Sequence, residues 1–150
     1  MSEDPDFKYI IRIANSDVSG EQKLAYALTS IRGIGERTSN AIIQKLGLDS
    51  TQLAGKITDK NVEDIESAIG NISEYVPKWL LNRQKDYDTG DDVHPVSIDL
   101  KMSHEDDLNR MKKVKSYKGI RHASGHKVRG QRTYSNGRKG LALGVSKRKG

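Results

Sequence analysis

The chain has 150 residues, no cysteine, and 26 Lys and Arg against 20 Asp and Glu, so disulfide frameworks and thiolate metal sites are excluded. The formal charge of +6 hides a segregation. Fourteen of the cations follow Asp107, the last carboxylate, which leaves a body of about −8 joined to an arm of +14. No run is long and apolar enough to span a bilayer, and the acidic Met1–Asp6 start has no secretory h-region, so a soluble chain without a membrane partner is expected.

In chain order, Phe7, Tyr9, Ile11 and Ile13 alternate at period two and predict a short strand, with turn chemistry at Asn15 to Asp17. Ser19 and Gln22 have capping-box spacing, and Leu24, Ala27, Leu28 and Ile31 recur at helical spacing, predicting a helix over about 20–31. After Arg32-Gly33-Ile34-Gly35 a second helix runs to about Leu46, with Thr38, Ala41, Ile42 and Leu46 as its buried stripe and Gly47 as its stop. Thr58 is the predicted N-cap of a third helix that buries Val62, Ile65 and Ile69 and ends at Gly70-Asn71. Pro77, Trp79, Leu80 and Leu81 read as a packed turn, with Trp79 as a core anchor.

Residues 84–101 are polar and acidic, the pattern of a surface excursion. A last helix is expected from Ser103, with Glu105, Asp106 and Asp107 in its first turn, Leu108, Met111 and Val114 as its stripe, and Gly119 as its stop. Beyond Gly119 the apolar residues have no period, and glycines alternate with cations. Residues 119–150 therefore read as an extended basic tail, able to stretch over roughly 100 Å. The fold class that results is mainly α. A small helical head, residues 1–118, carries a short N-terminal β segment and is followed by the tail, 119–150.

Two features carry chemistry. The Gly33-Ile34-Gly35 turn, flanked by Arg32 and Arg37, exposes the first N–H groups of the following helix, which suit a phosphate oxygen; close helix packing explains the glycines equally well. The arm interleaves arginine with glycine, giving bidentate forks for phosphate and flat faces for bases on a backbone that can thread grooves. A long RNA surface fits such an arm better than a pocket does. A helix-hairpin-helix DNA-binding accessory protein, using the same turn on duplex phosphate, is the alternative.

Enzyme-like patterns fail. Gly125 to Arg132 lacks the Lys-Ser/Thr of a phosphate-binding loop, and Gly137 to Gly140 lacks the flanking helices of a KH clamp. Asp86-x-Asp88 has its glycine misplaced for a calcium loop, and His122 and His126 have no third ligand nearby. No catalytic cluster stands out and no cofactor is implied.

Ala27-Leu28-Thr29-Ser30-Ile31-Arg32-Gly33-Ile34-Gly35, Gly119-Ile120-Arg121-His122 and Val128-Arg129-Gly130-Gln131-Arg132-Thr133 closely resemble the universal small-subunit ribosomal protein thirteen family, from about Phe7 to the C-terminus. Trp79 to Asp86 resembles a segment found in archaeal and eukaryotic members, and the acid-rich body is similar to archaeal ones. The resemblance implies a helix-two-turn-helix head and a tail threaded through RNA in the head of the small subunit. It also implies a cytoplasmic, ribosome-bound protein, with small-subunit rRNA, P-site tRNA, small-subunit protein nineteen and large-subunit protein five as partners. Carried over by position, the rRNA contacts are Arg32, Gly33, Ile34, Gly35, Arg37, Lys115, Lys118, Arg121, His122, Lys127, Arg129, Arg132, Arg138 and Lys139. Lys147, Arg148 and Lys149 would be the cations nearest tRNA.

Overall fold

A computed structural model describes residues 7–134 of the chain. The described residues are mainly helical with one small sheet. The order is β1 (Ile10–Ile13), β2 (Ser16–Ser19), α1 (Leu24–Ala27), α2 (Glu36–Leu46), α3 (Asp59–Gly70), α4 (Ile72–Tyr75), α5 (Ser97–Lys113) and α6 (Tyr117–Ala123). The chain divides into two compact units between Ser103 and His104, and each is taken by itself.

In the first unit the period-two pattern yields β1, which buries Ile11 and Ile13, while Tyr9 is exposed. β1 pairs antiparallel with β2, Ile10 opposite Ser19 and Ile13 opposite Ser16. The turn between them uses Ala14 and Asn15, both at positive φ (47° and 58°), the geometry that matches the twist of a two-residue hairpin. Asp17, expected in the turn, is instead in β2 opposite Arg12. The Ala14 N–H donates to Glu66 Oε1 at 3.0 Å, which ties the hairpin tip to α3.

The helix expected over 20–31 is shorter. Only Leu24–Ala27 is α-helical, followed by a 3-10 turn at Leu28–Ser30. Ser19 belongs to the sheet, and the backbone beyond it finds distant partners. The Gly20 N–H donates to the Tyr9 carbonyl at 2.7 Å, Leu24 N–H to Gln52 at 2.8 Å, and Ala54 N–H to Gln22 at 2.9 Å. Sheet-like bonds to residues 52–55 satisfy the groups that a local helix would otherwise use. The apolar stripe survives the change, because Leu24, Ala27, Leu28 and Ile31 are all buried.

Helix α2 buries Thr38, Ser39, Ile42 and Ile43, and ends at Gly47 in the left-handed region, φ 66°. Ser39, absent from the predicted stripe, is fully buried because its Oγ–H donates to the Ala25 carbonyl at 2.7 Å and locks α2 to α1. Thr58 caps α3, accepting from Asn61 N–H, and Ile65, Ala68 and Ile69 complete the core with Ile72, Val76 and Leu81.

Trp79 is not a core anchor: its side chain is 75% exposed. Pro77 opens a 3-10 turn, Lys78–Leu80, in which Leu80 packs on the core and Leu81 follows it inside, leaving position 79 to face solvent. The irregular stretch is also shorter than expected, because α5 starts at Ser97 rather than Ser103. The Ser97 N–H donates to the Arg32 carbonyl at 2.7 Å, so a long-range bond fixes the start of the helix ahead of its acidic run.

In the second unit α5 ends at Lys113 and the chain reverses at Lys115, φ 53°. Leu108 and Met111 are half-buried, and Val114 is exposed. Gly119 does not stop a helix; it is buried inside α6. Ser116 caps α6 by accepting from the Gly119 N–H at 3.1 Å, and its own hydroxyl donates to the Met111 carbonyl at 3.1 Å. A Cβ on Gly119 would sit 2.1 Å from the Met111 carbonyl oxygen, so the two helices meet backbone to backbone there. Among the described residues, no helix is long and apolar enough to cross a membrane.

Candidate nucleic-acid interface

The first candidate surface is the turn before α2. Gly33 has φ 100°, which favours glycine, and a Cβ there would meet the Pro95 carbonyl oxygen at 3.0 Å and Val96 Cγ1 at 3.2 Å. Its glycine is therefore explained by the chain's own packing. Gly35 differs: its φ of −102° suits any residue, and a Cβ there would meet nothing within 4 Å. Gly35 is the N-cap of α2, its N–H donates to Thr38 Oγ1 at 2.8 Å, and the Thr38 hydroxyl returns a bond to the Gly35 carbonyl at 3.0 Å.

The next N–H groups, at Glu36, Arg37 and Thr38, have no intrahelical acceptor in any α-helix start. Arg32 and Arg37 are exposed beside them, and Ile34 is buried as the anchor of the turn. Glu36 contributes an opposing charge in the first turn. The turn thus offers an open, mixed-charge edge of two arginines and a helix start.

Behind the turn stands His94, which no sequence motif singles out. Its Nδ1 accepts the Asn82 N–H at 3.3 Å and its Nε2–H donates to the Gly33 carbonyl at 3.0 Å, the neutral tautomer. Burial lowers its pKa below the usual histidine value, against a smaller raising effect of the Gly33 bond. His94 also lines a cleft of ≈ 320 Å³ with Arg83, Asp86, Pro95 and Asp99. Sixty-one residues separate it from Gly33, so no local spacing signals the contact. The Gly35 and Thr38 pairing, by contrast, has the spacing of a capping box.

The second surface lies on α5, α6 and the segment after them. Between Leu108 and Tyr134 there are nine Lys or Arg and no carboxylate. Lys115, Lys118, Lys127, Arg129 and Arg132 are exposed, as is His122. Arg121 is half-buried and partly committed, since its Nε–H donates to the Lys127 carbonyl at 2.8 Å and closes the loop after α6. Gly125 (φ 68°) and Gly130 (φ 69°) bend the backbone between the cations. Tyr117 and Tyr134 are exposed among them, and the Arg132 guanidinium lies 5.8 Å from the Tyr134 ring centroid. Cations with interleaved flat side chains can meet phosphate oxygens and stack on bases at once.

The structure therefore assigns the sequence-derived residues to two surfaces, Arg32–Arg37 in one unit and Lys115–Arg132 in the other. Arg138, Lys139, Lys147, Arg148 and Lys149 lie outside the described residues.

Residues 12–139 match the ribosomal protein S13/S18 family. The chain belongs to that family. Curated relatives agree over nearly the full length. Small ribosomal subunit protein uS13 of Methanopyrus kandleri is 47% identical over 148 residues, covering 97% of this chain and 98% of its own. The uS13 of Methanothermobacter thermautotrophicus is 47% identical, covering 96% and 97%. That of Picrophilus torridus is 48% identical, covering 96% and 92%. The similarity is to archaeal members, and the family is one of ribosomal structural proteins rather than enzymes.

Proposed function

We propose that this ribosomal protein is a structural constituent of the small subunit, cytoplasmic and ribosome-bound, which binds rRNA in the subunit head. One observation supports this most directly. The α5–α6 pair, closed on Gly119, its connecting turn and the segment after it carry exposed cations at Lys115, Lys118, Lys127, Arg129 and Arg132, on a stretch with no carboxylate after Asp107. Such a surface repels itself and is neutralised by a dense array of phosphates, which releases their counterions. Arg121 and His122 extend it, and Arg138 and Lys139 continue its charge along the sequence. The Arg32–Arg37 turn adds a second, weaker contact, with Arg32 and Arg37 on phosphates and the α2 N–H groups beside them.

In this reading the protein supplies counter-charge where RNA helices crowd, and the packed first unit gives it a defined seat. Contributions to intersubunit bridges, contact with small-subunit protein nineteen and large-subunit protein five, and approach of Lys147, Arg148 and Lys149 to P-site tRNA belong to the same proposal. Binding of the full chain to an rRNA fragment across a salt series tests it. About seven phosphate contacts give a slope of log K against log salt near −5 to −6. A slope near zero, or equal binding after deletion of residues 119–150, overturns the electrostatic mechanism. Failure to co-sediment with small subunits overturns the assignment to that particle.

A further inference from the structure

The first unit holds a surface of opposite character to the cationic one. Trp79, the single tryptophan, is 75% exposed, and Tyr87 is 71% exposed. Neither belongs to a floppy excursion. Leu81 is buried beside the tryptophan, Leu80 packs on the core, and the Leu80 N–H donates to the Pro77 carbonyl at 2.9 Å. Residues 83–93 fold into a cross-tied loop. Arg83 and Val93 exchange backbone bonds at 3.3 and 2.9 Å, Asp86 N–H donates to Asp91 at 2.8 Å, and Gly90 N–H donates to Asp86 at 2.8 Å.

Two further contacts fasten the tryptophan turn to this loop. Lys78 Nζ lies 3.3 Å from Asp92 Oδ2, and Gln84 Nε2 donates to the Lys78 carbonyl at 2.8 Å. Residue 79 and residue 91 are thus the direct chain neighbours of a bonded pair.

Charge decides what can cover this surface. Residues 77–93 hold four carboxylates and three cations. Arg83 is paired with Asp86 and Lys78 with Asp92, so two carboxylates are answered within the loop. Asp88 and Asp91 are exposed, with Lys85 as the other exposed cation. A phosphate backbone is disfavoured at such a rim. A lysine- or arginine-bearing polypeptide is favoured twice, by the carboxylates and by the indole face, the best aromatic partner for a cation. A large exposed aromatic on a rigid support, rimmed by charge, is also the anatomy of a protein-interface anchor.

We infer that Trp79, Tyr87, Asp88 and Asp91 form a docking surface for a basic segment of a neighbouring protein, with Trp79 as its anchor. The inference rests on the small-subunit reading, because that particle is where the neighbour is sought.

The test places the photoreactive residue p-benzoylphenylalanine at position 79 of the full chain, assembles it into small subunits and irradiates them. Sedimentation of the unsubstituted chain reports separately on the small-subunit reading. The expected product is an adduct to a protein, within a segment rich in Lys and Arg. Asp88→Asn with Asp91→Asn should lower the adduct yield about fivefold, as two partly screened charge contacts are removed. An adduct to rRNA overturns the inference. So does an adduct to an acidic or uncharged protein segment, or no adduct from chains that do co-sediment.

Discussion

The two units of this chain are held by different means. In the first, Ile13, Leu24, Leu28, Ile31, Ile42, Ile65 and Ile72 are essentially closed to solvent, and long-range backbone bonds tie residues 20–24 to 52–55. In the second, α5 buries no residue fully and the buried centre of the α5–α6 crossing is a glycine. Apolar burial stabilises the first through area removed from water, whereas the α5–α6 crossing, among the described residues of the second, rests on a close backbone approach and a serine cap. The difference separates a scaffold that folds around apolar side chains from a cationic element that leaves its side chains for a partner.

Perturbing each unit where it is most constrained sharpens that contrast. Ile42→Ala, which opens a cavity in the core, should cost about 3 kcal/mol in denaturant unfolding of the first unit. Gly119→Ala should cost about 2 kcal/mol by overpacking against the Met111 carbonyl. Its signature is loss of amide-exchange protection over Tyr117–Ala123 and weaker rRNA-fragment binding, with protection of β1 and α3 unchanged. Loss of protection in the core as well would break the comparison.

A smaller effect is pH-dependent. The folded pKa of His94 lies below its unfolded value because of burial, so the unfolded chain binds its proton first. His94 therefore contributes fully above the unfolded pKa of about 6.5. Its contribution should decline as pH falls below that value toward the lowered folded pKa, and then level off. Protonation also ends the ability of Nδ1 to accept from Asn82. His94→Gln should flatten this part of the stability–pH curve, and an unchanged curve would remove His94 from the account. The smallest expected change is Thr58→Ala, about 0.5 kcal/mol, because the cap bond to Asn61 N–H is long at 3.5 Å.

Much of this was legible along the chain. Thr38 and Ile42 of α2, Ile65 and Ile69 of α3, the Thr58 cap, the Gly47 stop and the segregated cations all follow from neighbours within a few residues, where period and capping chemistry act, whereas Ala41, Leu46 and Val62 of the expected stripes are only half-buried. The surface residues Lys115 to Arg132 were legible for the same reason, since charge needs no partner to be read. The archaeal-type family resemblance came from short strings of such residues.

Tertiary structure decided what sequence distance hides. It moved Ser19 from a helix cap to a strand, because β1 supplies a stronger set of backbone partners than a short helix does. It gave Gly33 its reason in Pro95 and Val96, held the turn with His94, and left Gly35 open. It also turned Trp79 outward and placed Gly119 inside a helix crossing. Periodicity and charge are local properties that the chain carries with it. Which backbone lies where a glycine's missing Cβ would go depends on how distant segments satisfy one another's hydrogen bonds, and that exists only after folding.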